Sequence, residues 1–145
     1  MGTSIHMHIE VKDPQGQWHH IQAPHIYRDY VFFDLLAGVW GKYKPVAPVR
    51  GLPEDASWLT QELYRQDSED YKLHHATWLN SEELVTLQER LTDIATSEKV
   101  RYGGGDTRQS KRDLEDDYFH LYLRGNAVSR HQGWEDVRLI AWFDN

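Results

Sequence analysis

An α+β fold is predicted for these 145 residues: one small sheet holding the N-terminal hairpin and the C-terminal strand, with three or four helices packed on one of its faces. Three observations carry this reading. The chain opens on SIHMHIE, where Ile5, Met7 and Ile9 alternate with His6, His8 and Glu10, the period of a strand with one apolar and one polar face. It closes on VRLIAWFDN, an apolar run rich in branched and aromatic residues, as expected of a central strand beside the first. Between them apolar residues recur at helical spacing.

Ile5 to Val11 forms the first strand. KDPQGQW follows, with Asp13, Pro14 and Gly16 as turn residues, and Trp18 to Gln22 returns, so residues 4–22 read as a β-hairpin. APHIYR is a loop broken by Pro24. From Asp29, a suitable N-cap, the spacing of Tyr30, Phe33, Leu36, Ala37 and Trp40 predicts a helix that Gly38 and Gly41 end. KYKPVAPVRGLP carries three prolines and reads as a long loop, a kind of segment that often has a functional role. A second helix starts at Asp55 or Ser57 and carries Leu59, Leu63 and Tyr64. HHATW is the loop before a third helix, which Asn80 or Ser81 caps and which shows an apolar stripe of Leu84, Leu87, Leu91 and Ile94. Glu82 and Glu83 lie in its first turn, where the helix dipole favours acids. YGGGDTRQSKR breaks the chain with consecutive glycines. DLEDDYFHLYLRG fits a helix slightly better than a strand, and residues 111–124 stay open between the two. With no repeats and no linker, residues 1–145 read as a single domain.

Composition narrows the function classes. The net charge is -7 and no basic stripe occurs, which argues against duplex nucleic acid as a partner. There is no cysteine, so disulfides, thiolate metal sites and cysteine nucleophiles are out. No signal-peptide pattern or membrane-length apolar stretch is seen, and a cytoplasmic protein is expected. Six Trp and eight Tyr suit both a core and a stacking site.

The candidate ligand-binding residues are His6, Arg28, Tyr30, Arg50, Gly51, His74 and Trp78. Arg28 precedes the first helix and Arg50 lies in the proline-rich loop; arginine presents a planar fork that matches phosphate. Gly51 lets an anion approach the backbone. Tyr27, Tyr30 and Trp78 offer ring faces for a base. Arg28, Arg50, His6 and His74 are expected to converge in one pocket. The bland alternative gives the arginines structural carboxylate partners such as Glu10 or Asp144. His6 and His8 with His74 or His75, and His19 with His20, are the residues that could hold a metal. No HExxH or comparable motif supports it, so neither a metal nor any other cofactor is expected. No Ser sits in a GxSxG elbow, and no catalytic residue is nominated. A His6–His74 acid–base pair clamped by Arg50 is the one hydrolytic scheme that keeps standing.

The blocks MGTSIHMHIE, YRDYVFFDLLAGV, RGLPEDAS, HHATWLNSEEL and DVRLIAWFDN together resemble, in the same order and over nearly the whole chain, a widespread family of small phage and prophage proteins without an assigned activity. Where that family has Asp before Ile-His this chain has Ser4, and where it has Val-Arg after the first helix this chain has Val39-Trp40. The resemblance implies a phage or prophage setting, and the host cytoplasm as the place of action. Small phage proteins sequester host nucleotide immune signals, so by analogy the first reading is a non-catalytic binder of a nucleotide-derived molecule. The alternatives are a His-based or metal-dependent phosphodiesterase of such a ligand, and a protein–protein interaction module that inhibits a host enzyme. Ligand identity, host target and self-association are left open.

Overall fold

The computed structural model describes residues 2–26, 28–101 and 136–145. Tyr27 and the open segment 111–124 lie outside them. The chain forms β1 (Ser4–Lys12), β2 (Trp18–Gln22), α1 (Tyr30–Ala37), α2 (Trp58–Asp70), β3 (Leu73–Leu79), α3 (Ser81–Arg101) and β4 (Asp136–Asp144). The strands make one antiparallel sheet in the order β2-β1-β4-β3, so the two terminal strands pair at its centre and the fold is α+β as expected.

The β1–β4 register sets the two faces. Ile5, Met7, Ile9 and Val11 lie opposite Phe143, Ala141, Leu139 and Val137. This side packs with Phe33, Leu35 and Leu36 of α1 and Leu84, Leu87 and Leu91 of α3 into the hydrophobic core. Burying each large side chain contributes about 1.5–3 kcal/mol. The other side carries His6 opposite Trp142, His8 opposite Ile140 and Glu10 opposite Arg138. The helices do not share one face. Helix α2 covers this second side, with Tyr64 edge-on to Trp142 at 5.0 Å, Trp142 Nε1 donating to Asp67 and the Thr60 hydroxyl donating to Glu10. Strand β4 is thus covered on both sides and buried from Val137 to Phe143, which is why its sequence is apolar almost without alternation.

Local chemistry sets the ends. In the β1–β2 turn the Asp13 carboxylate accepts from the backbone of Gln15 and Gln17. Asp29 accepts from the Val31 and Phe32 amides at the start of α1, and Gly38 ends that helix at a left-handed φ of 68°. Ser57 caps α2. Asn80 and Glu83 exchange side-chain and backbone bonds in a capping box at α3.

Two expectations are corrected here. His74 to Trp78, read as a loop, lie in edge strand β3. A register shift between His74 and Thr77, with His75 at φ 54°, breaks the alternation that would have revealed it. Trp40, read as part of the α1 stripe, lies beyond the helix because Gly38 ends it three residues after Leu35.

Candidate functional site

Three groups of polar and aromatic side chains stand out. The first lies on the α2 side. The Arg138 guanidinium donates from Nε and Nη2 to Glu10, at 2.9 and 2.6 Å, and from Nη1 to Asp55 at 2.8 Å. Glu10 is 0 % exposed and Arg138 3 %. Glu10 also accepts from the Ser57 amide and the Thr60 hydroxyl, at the start of α2. Burial pushes the Glu10 carboxyl up, but the bonds from Thr60, Ser57 and Arg138 outweigh it and hold the group below its ordinary range. Arg138 stacks on Trp18 at 3.8 Å, and Arg50 stacks on Trp78 at 3.7 Å. Arg50 further donates to the Trp78 carbonyl and to Glu83, while Gly51, at φ 74°, donates its amide to Ala76. Arg50 therefore has a carboxylate partner, Glu83 rather than the anticipated Glu10 or Asp144, and Trp78 has a cation on its face.

The second group is a row of rings along β1. His20 Nε2 and His8 Nδ1 are 2.9 Å apart, His8 stacks on Trp142 at 4.5 Å, and His6 follows at 6.5 Å from Trp142 and 5.5 Å from Tyr71. His6 Nε2 lies 2.6 Å from Asp144, and its Nδ1 3.5 Å from Asp67. Burial, then the neighbouring His20 and His6, push the His8 imidazole down to about 3, and burial also lowers His20. As pH falls through about 6.5 the unfolded chain takes a proton that folded His8 refuses, so stability is present above that pH and is lost below it. From His8 alone the expected loss is about 0.7 kcal/mol per pH unit at pH 6.5, where the unfolded imidazole is half protonated, and approaches about 1.4 kcal/mol per pH unit by pH 5. Urea unfolding across this range checks it: the His8→Gln variant should show a flatter dependence, and an equally steep one would refute the assignment.

The third group sits at the end of the sheet where the two termini of the strands meet. Asp34, buried in α1, accepts from four successive amides, those of Trp40, Gly41, Lys42 and Tyr43. Gly38 and Gly41 take left-handed φ values, which lets the loop wrap round the carboxylate. The wrapped loop projects Trp40, 54 % exposed, beside Tyr30, with ring centroids 5.9 Å apart. Lys42 Nζ lies 5.4 Å from the Trp40 ring and 5.6 Å from that of Tyr43. The Tyr30 hydroxyl accepts from the Thr3 amide, and Thr3 and His74 both bond to Asn145. Arg28, exposed, reaches Ser4 Oγ at 3.3 Å and lies so close to Gly2 that a Cβ there would fall 2.2 Å from Nη1. Lys44 is exposed nearby in sequence.

The expected residues are thus divided. Arg28, Tyr30 and His74 belong to the sheet end. His6 is near that end but on the α2 side, because it pairs with Trp142 while His74 pairs with Phe143. Arg50, Gly51 and Trp78 lie further along β3; Trp78 is opposite Ile140 and Ser4 opposite Asp144, about 13 Å apart along β4 at about 3.3 Å per residue. Arg28, Arg50, His6 and His74 are not gathered in one pocket. Asp34, Trp40 and Lys42 were missed. The signal for them was a local one, an Asp in the last turn of a helix followed by GVWGKY. Among the described residues no group of three His, Asp or Glu side chains has metal-holding geometry, and no helix is long and apolar enough to cross a membrane. No family model, curated protein or solved structure matches this chain.

Proposed function

We propose that the protein is a non-catalytic binder of a planar, anionic, nucleotide-derived molecule, held at the Tyr30–Trp40–Lys42 end of the sheet and returned unchanged. The observation that carries this reading is the exposed Trp40, whose backbone the Asp34 cradle fixes and beside whose ring the Lys42 ammonium lies. Stacking of one base contributes roughly 1–3 kcal/mol, and Lys42 with Arg28 supplies counter-charges for phosphate in an otherwise acidic chain. The resemblance to small phage and prophage proteins supports a host immune signal as the ligand and the host cytoplasm as the place where it is sequestered. The test is to incubate the protein with cyclic dinucleotides and cyclic ADP-ribose-type compounds, heat the complex and analyse what is released. Intact ligand is the expected result.

Two other outcomes would each select a different reading. Steady turnover to a product would favour a phosphodiesterase built on the His6–Asp144 pair, whose 2.6 Å contact orients the imidazole as an acid–base group. No binding across the panel would favour a protein-interaction module, for which Trp58, 76 % exposed at the start of α2, is the natural anchor.

A further inference from the structure

The geometry points to an exchangeable transition-metal site at the β3 bulge, in which His74 and His75 chelate one divalent ion of the copper or nickel type through their Nδ1 atoms. The site is independent of the ligand reading above. Neighbouring residues of a regular strand point to opposite faces, so their side chains do not meet. Here the register shift between His74 and Thr77 and the left-handed backbone of His75, at φ 54°, turn the second ring round to the first. The two Nδ1 atoms come to 2.8 Å, with ring centroids 5.0 Å apart and planes at 80°. Left-handed backbone at a residue other than glycine is strained and tends to mark functional positions.

The separation selects the ion. Two metal–nitrogen bonds of about 2.0 Å meeting at a right angle span about 2.8 Å, whereas a tetrahedral angle would need about 3.3 Å. The first value fits the tetragonal geometry of copper(II) and nickel(II). The outer support is also in place. His74 Nε2 lies 3.0 Å from Asn145 Oδ1, an atom that only accepts, so the proton sits on Nε2 and the lone pair on Nδ1. Thr3 Oγ1 donates to the same Asn145 oxygen at 2.9 Å and fixes it, in the way the partners of metal-bound imidazoles do. His75 is exposed, leaving the remaining positions to water. With only two protein ligands the ion exchanges on dialysis.

The test titrates the untagged full-length protein with Cu2+ and with Ni2+ by calorimetry and records the EPR spectrum of the Cu2+ sample. One equivalent with micromolar affinity is expected, with an axial spectrum split by two nitrogens. His74→Ala and His75→Asn should each weaken binding at least tenfold; asparagine tolerates left-handed backbone, so His75→Asn removes the ligand while keeping the bulge, and its melting curve should match that of the wild type. His19→Ala, in the distant β2, should bind as the wild type does. Wild-type affinity in His75→Asn or His74→Ala, no binding tighter than millimolar, or a spectrum without nitrogen splitting would overturn the proposal and leave the two rings as a hydrogen-bonded pair.

Discussion

Replacing Arg138 with alanine is expected to destabilise the fold by about 3–5 kcal/mol, the scale for breaking one side of a buried ion pair. The reason is Glu10. Its carboxylate is fully buried, and one oxygen depends on Nε and Nη2 of Arg138. Without the guanidinium that oxygen keeps a buried charge stripped of both donors. Asp55 and Trp18 lose a partner as well, but Asp55 is exposed and can hydrate. Natural domains are stable by only about 5–15 kcal/mol, so the variant should unfold at a much lower urea concentration. The double variant Glu10→Gln with Arg138→Met should recover part of the loss, because it removes the stranded charge. A single variant that unfolds within about 1 kcal/mol of the wild type would show that the pair does not hold β1 to β4 as described.

Asp34→Ala is expected to release the 40–43 loop and to cost about 2–4 kcal/mol. Hydrogen bonds to a charged acceptor are worth about 1.5–3 kcal/mol each. The four here are not additive, since the freed amides of an exposed loop can bond to water. Asp34→Asn should lose a smaller share: its amide nitrogen would face two backbone donors where the carboxylate has an oxygen. Hydrogen exchange reads the effect directly. The amides of Trp40, Gly41, Lys42 and Tyr43 should lose protection while those of β4 keep most of theirs. Unchanged protection at the four amides would mean that the loop is held by something other than Asp34.

The elements that could be read from the sequence are those whose cause is local or periodic. Strand β1 declares itself by alternation, β4 by an unbroken apolar run, and the three helices by their caps at Asp29, Ser57 and Asn80. Strand β3 was hidden because its bulge shifts the period in the middle, leaving two short pieces that each look like loop. The placement of α2 on the polar side of β1 was also hidden. It depends on Glu10 and Trp142 finding Thr60 and Tyr64, and no sequence spacing encodes such distant pairings. The candidate site was legible only in part. Arg28, Tyr30 and His74 come together at the sheet end, while Arg50 and Trp78 satisfy each other and Glu83. Asp34 falls outside the apolar spacing of α1, and its role exists only once the following loop has turned back over it.

The central claim is that Trp40 presents a stacking platform for a nucleotide-derived ligand. The most direct measurement is calorimetric titration of wild type, Trp40→Ala and Trp58→Ala with the same panel of cyclic nucleotides. Wild type should bind at least one member with micromolar affinity or better. Trp40→Ala should weaken that binding tenfold or more, about 1.4 kcal/mol, and Trp58→Ala, at the start of α2, should leave it unchanged. Equal affinity in wild type and Trp40→Ala would contradict the account, as would a loss confined to Trp58→Ala.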